Sequence, residues 1–160
     1  MSLLRYLMVL SLVVWIGGIV FFAIMAPTAF HQLPTRLMAG TLVGTLLTKL
    51  HWIAIGSGVV FLISSLVYNS ITQGTAHLFA FRHVLIVLML ALTLVSQFGI
   101  TPRMIALRAQ VGNFDNTTLD NPARLQFDAL HVWSTRVEIA VLVLGLIAIW
   151  STANALARVR

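Results

Sequence analysis

Four apolar runs of membrane length govern what this chain can fold into: residues 6–26, 52–70, 79–101 and 138–157. A transmembrane helix needs about 20 consecutive apolar residues, because only a helix can satisfy its own backbone across hydrocarbon. The first run is too long for the apolar core of a signal peptide, which spans about 7–15 residues. The rest of the chain cannot cover a soluble surface. Charged residues make up 9% and the mean hydropathy is +0.98, whereas soluble domains carry about 25% charge. The expected fold is all-α: one domain of 160 residues, an integral membrane up-and-down four-helix bundle whose principal partner is the lipid bilayer.

The connections refine this picture. Pro27 predicts the end of the first helix, because proline cannot extend the hydrogen-bond ladder. Residues 34–50 carry large apolar side chains at helical spacing (Leu37, Met38, Leu42, Val43, Leu46, Leu47, Leu50), with Arg36, Thr41, Thr45 and Lys49 on the other side. This is an amphipathic helical segment, and no breaker separates it from 52–70, so the two can form one long helix. Gly40 and Gly44 give a GxxxG pattern, while Gly17 and Gly18 beside Trp15 predict a close helix approach in the first span. Pro102 predicts the end of the third span. The stretch 104–121 reads as a long polar loop, with Asp120 or Asn121 capping the fourth helix and Pro122 in its first turn. Helices 2 and 4 are therefore expected to extend beyond the membrane on one face.

Four spans put both termini on one side, face A, and the 27–50 and 102–128 connections on the other, face B. Face B carries Arg36, Lys49, Arg103, Arg108, Arg124 and Arg136, and face A carries Arg5, Arg82, Arg158 and Arg160. The net charge of +6 is scattered and forms no basic stripe, so nucleic acid is not an expected partner. The chain has no cysteine, which excludes disulfides, thiolate metal sites and a cysteine nucleophile. No Walker A, GxGxxG, GxSxG or HExxH motif is present, and no catalytic residue is expected.

The polar residues inside the helical pattern are more informative. His131, Ser134 and the only glutamate, Glu138, stack at i, i+3 and i+7 on one face of the fourth helix. Threading places His31, His51 and His131 at face B, where Gln97 near the end of the third span can face them. His77 and His83 belong to face A, with His83 an interface anchor beside Arg82. Imidazole and carboxylate donors suit copper, zinc, iron or nickel, and two imidazoles from facing helices can hold a haem iron. Equally, His51 and His131 neighbour Trp52 and Trp133, as residues of an interfacial belt do. A carboxylate at membrane depth is costly and is usually paired or faces a cavity. Arg136 points about 200° away from Glu138 along the helix, so Glu138 needs a partner on another helix.

Several stretches together resemble the family called domain of unknown function 4149, which includes the eukaryotic transmembrane protein 205. They are Val14-Trp15-Ile16-Gly17-Gly18 with Phe21-Phe22, Ala26-Pro27-Thr28-Ala29-Phe30, and Leu33-Pro34-Thr35-Arg36 with Ala39-Gly40. Further along come Thr101-Pro102-Arg103 with Ala106-Leu107-Arg108, then Phe127, Leu130-His131, Ser134 and Leu144-Gly145-Leu146. The resemblance implies a multi-pass protein of the bacterial inner (plasma) membrane without established enzymology. The Trp-x-Gly-Gly of the first helix and a histidine near a helix end are also similar to the copper-resistance D proteins, which implies copper or haem.

Three functions follow. One is binding of a transition metal or haem through His51 and His131, with Glu138 and His31 as further ligands and Ser134, Gln97, Arg136 and Trp15 lining the site. This requires His51 and His131 to face each other. The second is a transporter subunit in which Glu138 relays a proton or cation, which requires an open path to the carboxylate. Four helices are too thin to enclose a wide pore, so such a transporter is expected to be a homo-oligomer. The third is a structural or assembly protein in which the polar stripe fixes helix register.

Overall fold

The computed structural model describes residues 2–75 and 79–157. These are all-helical: α1 (Ser2–Gln32), α2 (Arg36–Gln73), α3 (Phe81–Val95), a π-helical turn (Ser96–Ile100), α4 (Thr101–Val111) and α5 (Pro122–Ala157). Because α3, the π turn and α4 run on without a break, four helices are long and apolar enough to cross a membrane. The chain is a multi-pass membrane protein. His77, Arg158 and Arg160, assigned to face A above, lie outside the described residues.

The core follows from helical period. On α1 the buried residues include Met8, Leu12, Trp15, Ile16 and Ile19; on α5 they include Val141, Gly145, Ala148 and Thr152. Both sets repeat every three or four residues, so each helix turns one stripe inward. On α2, Ala54, Gly58, Phe61, Ser65 and Tyr68 continue the pattern, and on α3 Leu85, Ile86, Met89 and Thr93 do. Large apolar side chains cover the outside as well: Phe21, Ile24, Ile63, Val95 and Trp150 are all more than half exposed. An apolar outer belt around an apolar core is what lipid requires.

Glycine sets the approach of the helices at two points. A Cβ on Gly58 would lie 2.9 Å from Trp15 Cζ3 and 2.6 Å from Leu90 Cδ2, and one on Gly145 would collide with Ile16 Cδ1. Gly18 meets only the end of Leu50, and Gly17 meets nothing within 4 Å. The close approach expected at Gly17 and Gly18 is thus made at Gly18, where a Cβ would lie 2.8 Å from Leu50 Cδ1, and not at Gly17. The GxxxG pair faces a side chain rather than a helix backbone: a Cβ on Gly44 would crowd the Arg108 guanidinium and one on Gly40 would touch it, and that guanidinium lies over the Phe127 ring, 5.4 Å from its centroid.

Two expected helix ends are not ends. Pro27 lies inside α1, which continues to Gln32; one lost backbone bond is tolerated in a long, packed membrane helix. Pro102 occupies the first turn of α4, and the helix continues to Val111, so the polar loop is residues 112–121 rather than 104–121. The chain absorbs Pro102 by widening. In the preceding π turn the Thr101 N–H donates to the Ser96 carbonyl, an i→i+5 bond that makes room for the ring.

Segments 34–50 and 52–70 do form one helix. Thr35 caps it by accepting from Met38 N–H, and Gly74 closes it at φ +72°. At 38 residues, α2 is about 57 Å long at about 1.5 Å per residue, well beyond the roughly 30 Å of hydrocarbon. Asn121 caps α5, its Oδ1 accepting from the N–H groups of Ala123 and Arg124. The loop before it is tied down by Arg124, which donates to the Phe114 and Thr117 carbonyls.

Candidate functional site

His51 is the sixteenth residue of α2, counting from Arg36, and it sits inside the bundle rather than at a helix start. Its ring is 1% exposed. Both nitrogens are engaged by other helices. Nδ1–H donates to Gln97 Oε1 at 2.8 Å, and Nε2 lies 2.8 Å from Glu138 Oε1. Gln97 is in the π turn. A π turn holds one residue more than an α turn and so re-aims the side chains it carries. The proline that forces the turn thereby helps to point Gln97 into the bundle.

An amide oxygen can only accept, so Nδ1 carries a hydrogen and Nε2 is left facing the carboxylate. A proton shared between Nε2 and Oε1 would complete the contact. Written as imidazolium and carboxylate or as imidazole and carboxylic acid, the pair is neutral overall, which lowers the cost of burying it. Around it lie further polar groups: Ser134, buried one turn before Glu138, and Ser96 and Thr101, whose hydroxyls are buried and without a hydrogen-bond partner. Glu138 is the exposed member, at 15%.

The structure does not bring the remaining expected residues together with this pair. His131 is exposed and stacks on Phe127, with centroids 6.3 Å apart and planes 3° from parallel. Register is the reason: His51 is level with Glu138, and His131 lies seven residues, about 10 Å, further out along α5. His51 and His131 therefore do not face each other. His31 is exposed in the last turn of α1. Arg136 is exposed and covers the Trp133 ring, 5.2 Å from its centroid. Trp15 is 1% exposed in the apolar core and lines no polar site. Among the described residues, no three His, Asp or Glu side chains come together as a metal would need. Two donors in contact fall short of the three or four protein ligands usual for zinc or copper, and one buried imidazole supplies no bis-histidine haem site.

The chain's match to known families spans residues 10–113, and the matching model is that of the domain of unknown function DUF4149. This chain is a member of the DUF4149 family. The matched part contains His51 and Gln97, while Glu138 lies beyond it. No curated protein and no solved structure matches the chain.

A second polar cluster occupies the other end of the bundle, where periodicity alone suggested only interface anchors. His83 is 2% exposed, and its Nε2 lies 2.7 Å from Ser65 Oγ. Arg82, 8% exposed, donates from Nε to Ser65 Oγ and from Nη2 to Asn69 Oδ1. Arg5 donates to the Tyr68 hydroxyl from Nε at 3.0 Å and Nη2 at 2.7 Å. The signal in the sequence was Ser65 and Asn69 inside a span, since polar groups in a membrane helix face inward.

Proposed function

We propose that this DUF4149 protein is a proton-handling membrane protein, with His51 and Glu138 as the groups that hold and pass the proton and Gln97 as the residue that positions the ring. The observation carrying this reading is the buried imidazole with both nitrogens engaged, one of them by a carboxylate on another helix. A single proton is held between two groups of different basicity, inside a membrane bundle, where ionisable residues mark ion and proton pathways.

His51 is almost fully enclosed and Glu138 is partly exposed, so protons enter and leave through Glu138. His51 receives them at Nε2, and Gln97 keeps Nδ1 protonated. A second proton arriving at Glu138 converts the pair to imidazolium and carboxylic acid; losing one leaves imidazole and carboxylate. Each change alters the net charge of a group that ties α2, the π turn and α5 together. Proton occupancy can therefore bias how those helices sit, which is the coupling a transporter subunit uses. The bacterial plasma membrane is the proposed location, and a homo-oligomer is the proposed assembly for a bundle this thin.

The test is proton movement into vesicles. Purified protein is reconstituted with a pH-sensitive dye inside and a potassium diffusion potential imposed. The wild type should acidify the lumen faster than protein-free vesicles, Glu138→Gln should abolish the difference, and His51→Ala should reduce it. Undiminished flux in Glu138→Gln, or none in the wild type, contradicts the proposal.

A further inference from the structure

The sequence contains no Asp or Glu before Asp115 and none after Glu138. Arg82 and Arg5 lie at the opposite end of the bundle from all four acidic side chains. Counting from Arg82 to Gln97 gives fifteen residues of continuous helix, about 22 Å at about 1.5 Å per residue. Glu138 is at the Gln97 level, linked to it through His51, and the three aspartates lie further out on face B. No acidic side chain of this chain can reach the Arg82 guanidinium.

Neutral acceptors hold it instead. Ser65 and Asn69 take two of its five N–H groups, and Nη1 donates to none of the described residues. Arg5 is held by Tyr68, the residue next to Asn69, and no described residue accepts from its Nη1. Two guanidiniums are thus anchored on consecutive residues of α2, with no Asp or Glu side chain to pair with them. A third polar group shares this depth. Met89 Cε would lie 3.2 Å from a Cβ on Gly145, so seven residues towards face A from each come Arg82 and Thr152. Thr152 is 2% exposed, and its hydroxyl has no hydrogen-bond partner. A buried cation is costly without an anion to neutralise it, and guanidinium groups match the oxygens of a phosphate group.

We propose that the face-A end of the bundle binds a phosphate-bearing anion, with Arg82 and Arg5 supplying the charge. The group can be the headgroup of an anionic phospholipid or a free phosphate, and the chemistry of recognition is the same. Arg82 has the more buried charge, so it contributes more than Arg5.

Thermal unfolding of the full chain in a neutral detergent tests this. Phosphatidylglycerol, phosphatidylcholine and inorganic phosphate are added separately to wild type, Arg82→Gln, Arg5→Gln and a face-B control, Arg103→Gln. A rise of about 3 °C or more in the wild-type midpoint with phosphatidylglycerol and not phosphatidylcholine, lost in Arg82→Gln and kept in Arg103→Gln, establishes a lipid headgroup site. The same pattern with inorganic phosphate establishes a site for a free anion. If Arg82→Gln yields no folded protein, Arg5→Gln carries the test and should lose at least half of the rise. No rise with either anion, a rise unchanged in both arginine variants, or an equal loss in Arg103→Gln overturns the proposal.

Discussion

His51 Nε2 and Glu138 Oε1, 87 residues apart in the chain, meet at 2.8 Å across the bundle. Because the ring is fully enclosed, removing the carboxylate leaves a buried nitrogen without a partner. Glu138→Ala should therefore lower the unfolding free energy in detergent by about 1–3 kcal/mol. Glu138→Gln retains a hydrogen-bonding group and should cost less. Equal losses in the two variants would contradict the hydrogen-bonded pair.

Gln97 is the other half of the clamp on the ring. Gln97→Ala should cost a similar amount, about 1–3 kcal/mol, and should also lower proton flux, because Nδ1 no longer has a fixed acceptor and Nε2 is no longer held towards Glu138. Denaturant unfolding and the vesicle assay read the two effects separately. A variant that unfolds earlier yet conducts normally would remove Gln97 from the mechanism.

The four membrane-length runs were plain in the sequence because an apolar stretch of sufficient length needs only counting. Depth was harder to read. His51, next to Lys49, looked like a residue of the interfacial belt just before its span, yet its ring is buried against Glu138. His131 lies about two turns further out, in the exposed part of α5. The prolines misled for a related reason: Pro27 and Pro102 stop a short helix, but a long packed one absorbs them, in one case through a π turn. Arg82 and His83 read as surface anchors since their partners, Ser65 and Asn69, belong to a different helix, and pairing between helices is invisible to periodicity.

Two histidines should be dispensable. His131 and His31 are exposed and lie away from the pair, so His131→Ala and His31→Ala should change stability by no more than about 0.5 kcal/mol and leave proton flux unaltered. Elemental analysis of the wild type should find no stoichiometric transition metal. A bound metal lost in His131→Ala would instead restore a histidine metal site.

The glycines offer a test of the packing. Gly58→Ala pushes a methyl against Trp15 and Leu90, and should cost about 1–3 kcal/mol. Gly17→Ala meets nothing and should be neutral or stabilising, by up to about 1 kcal/mol from helix propensity. Thermal unfolding of the two variants side by side distinguishes a bundle closed at Gly58 from one closed at Gly17.

The central claim is that His51 and Glu138 act as one unit. A double-mutant cycle measures this most directly: unfolding free energies in detergent for the wild type, His51→Ala, Glu138→Ala and the double variant. The structure predicts a coupling energy of about 1–3 kcal/mol between the two sites, with the double variant little worse than the more damaging single one. Additive losses, with coupling within about 0.3–0.5 kcal/mol of zero, would show that the two residues do not share a proton and would contradict the proposed function.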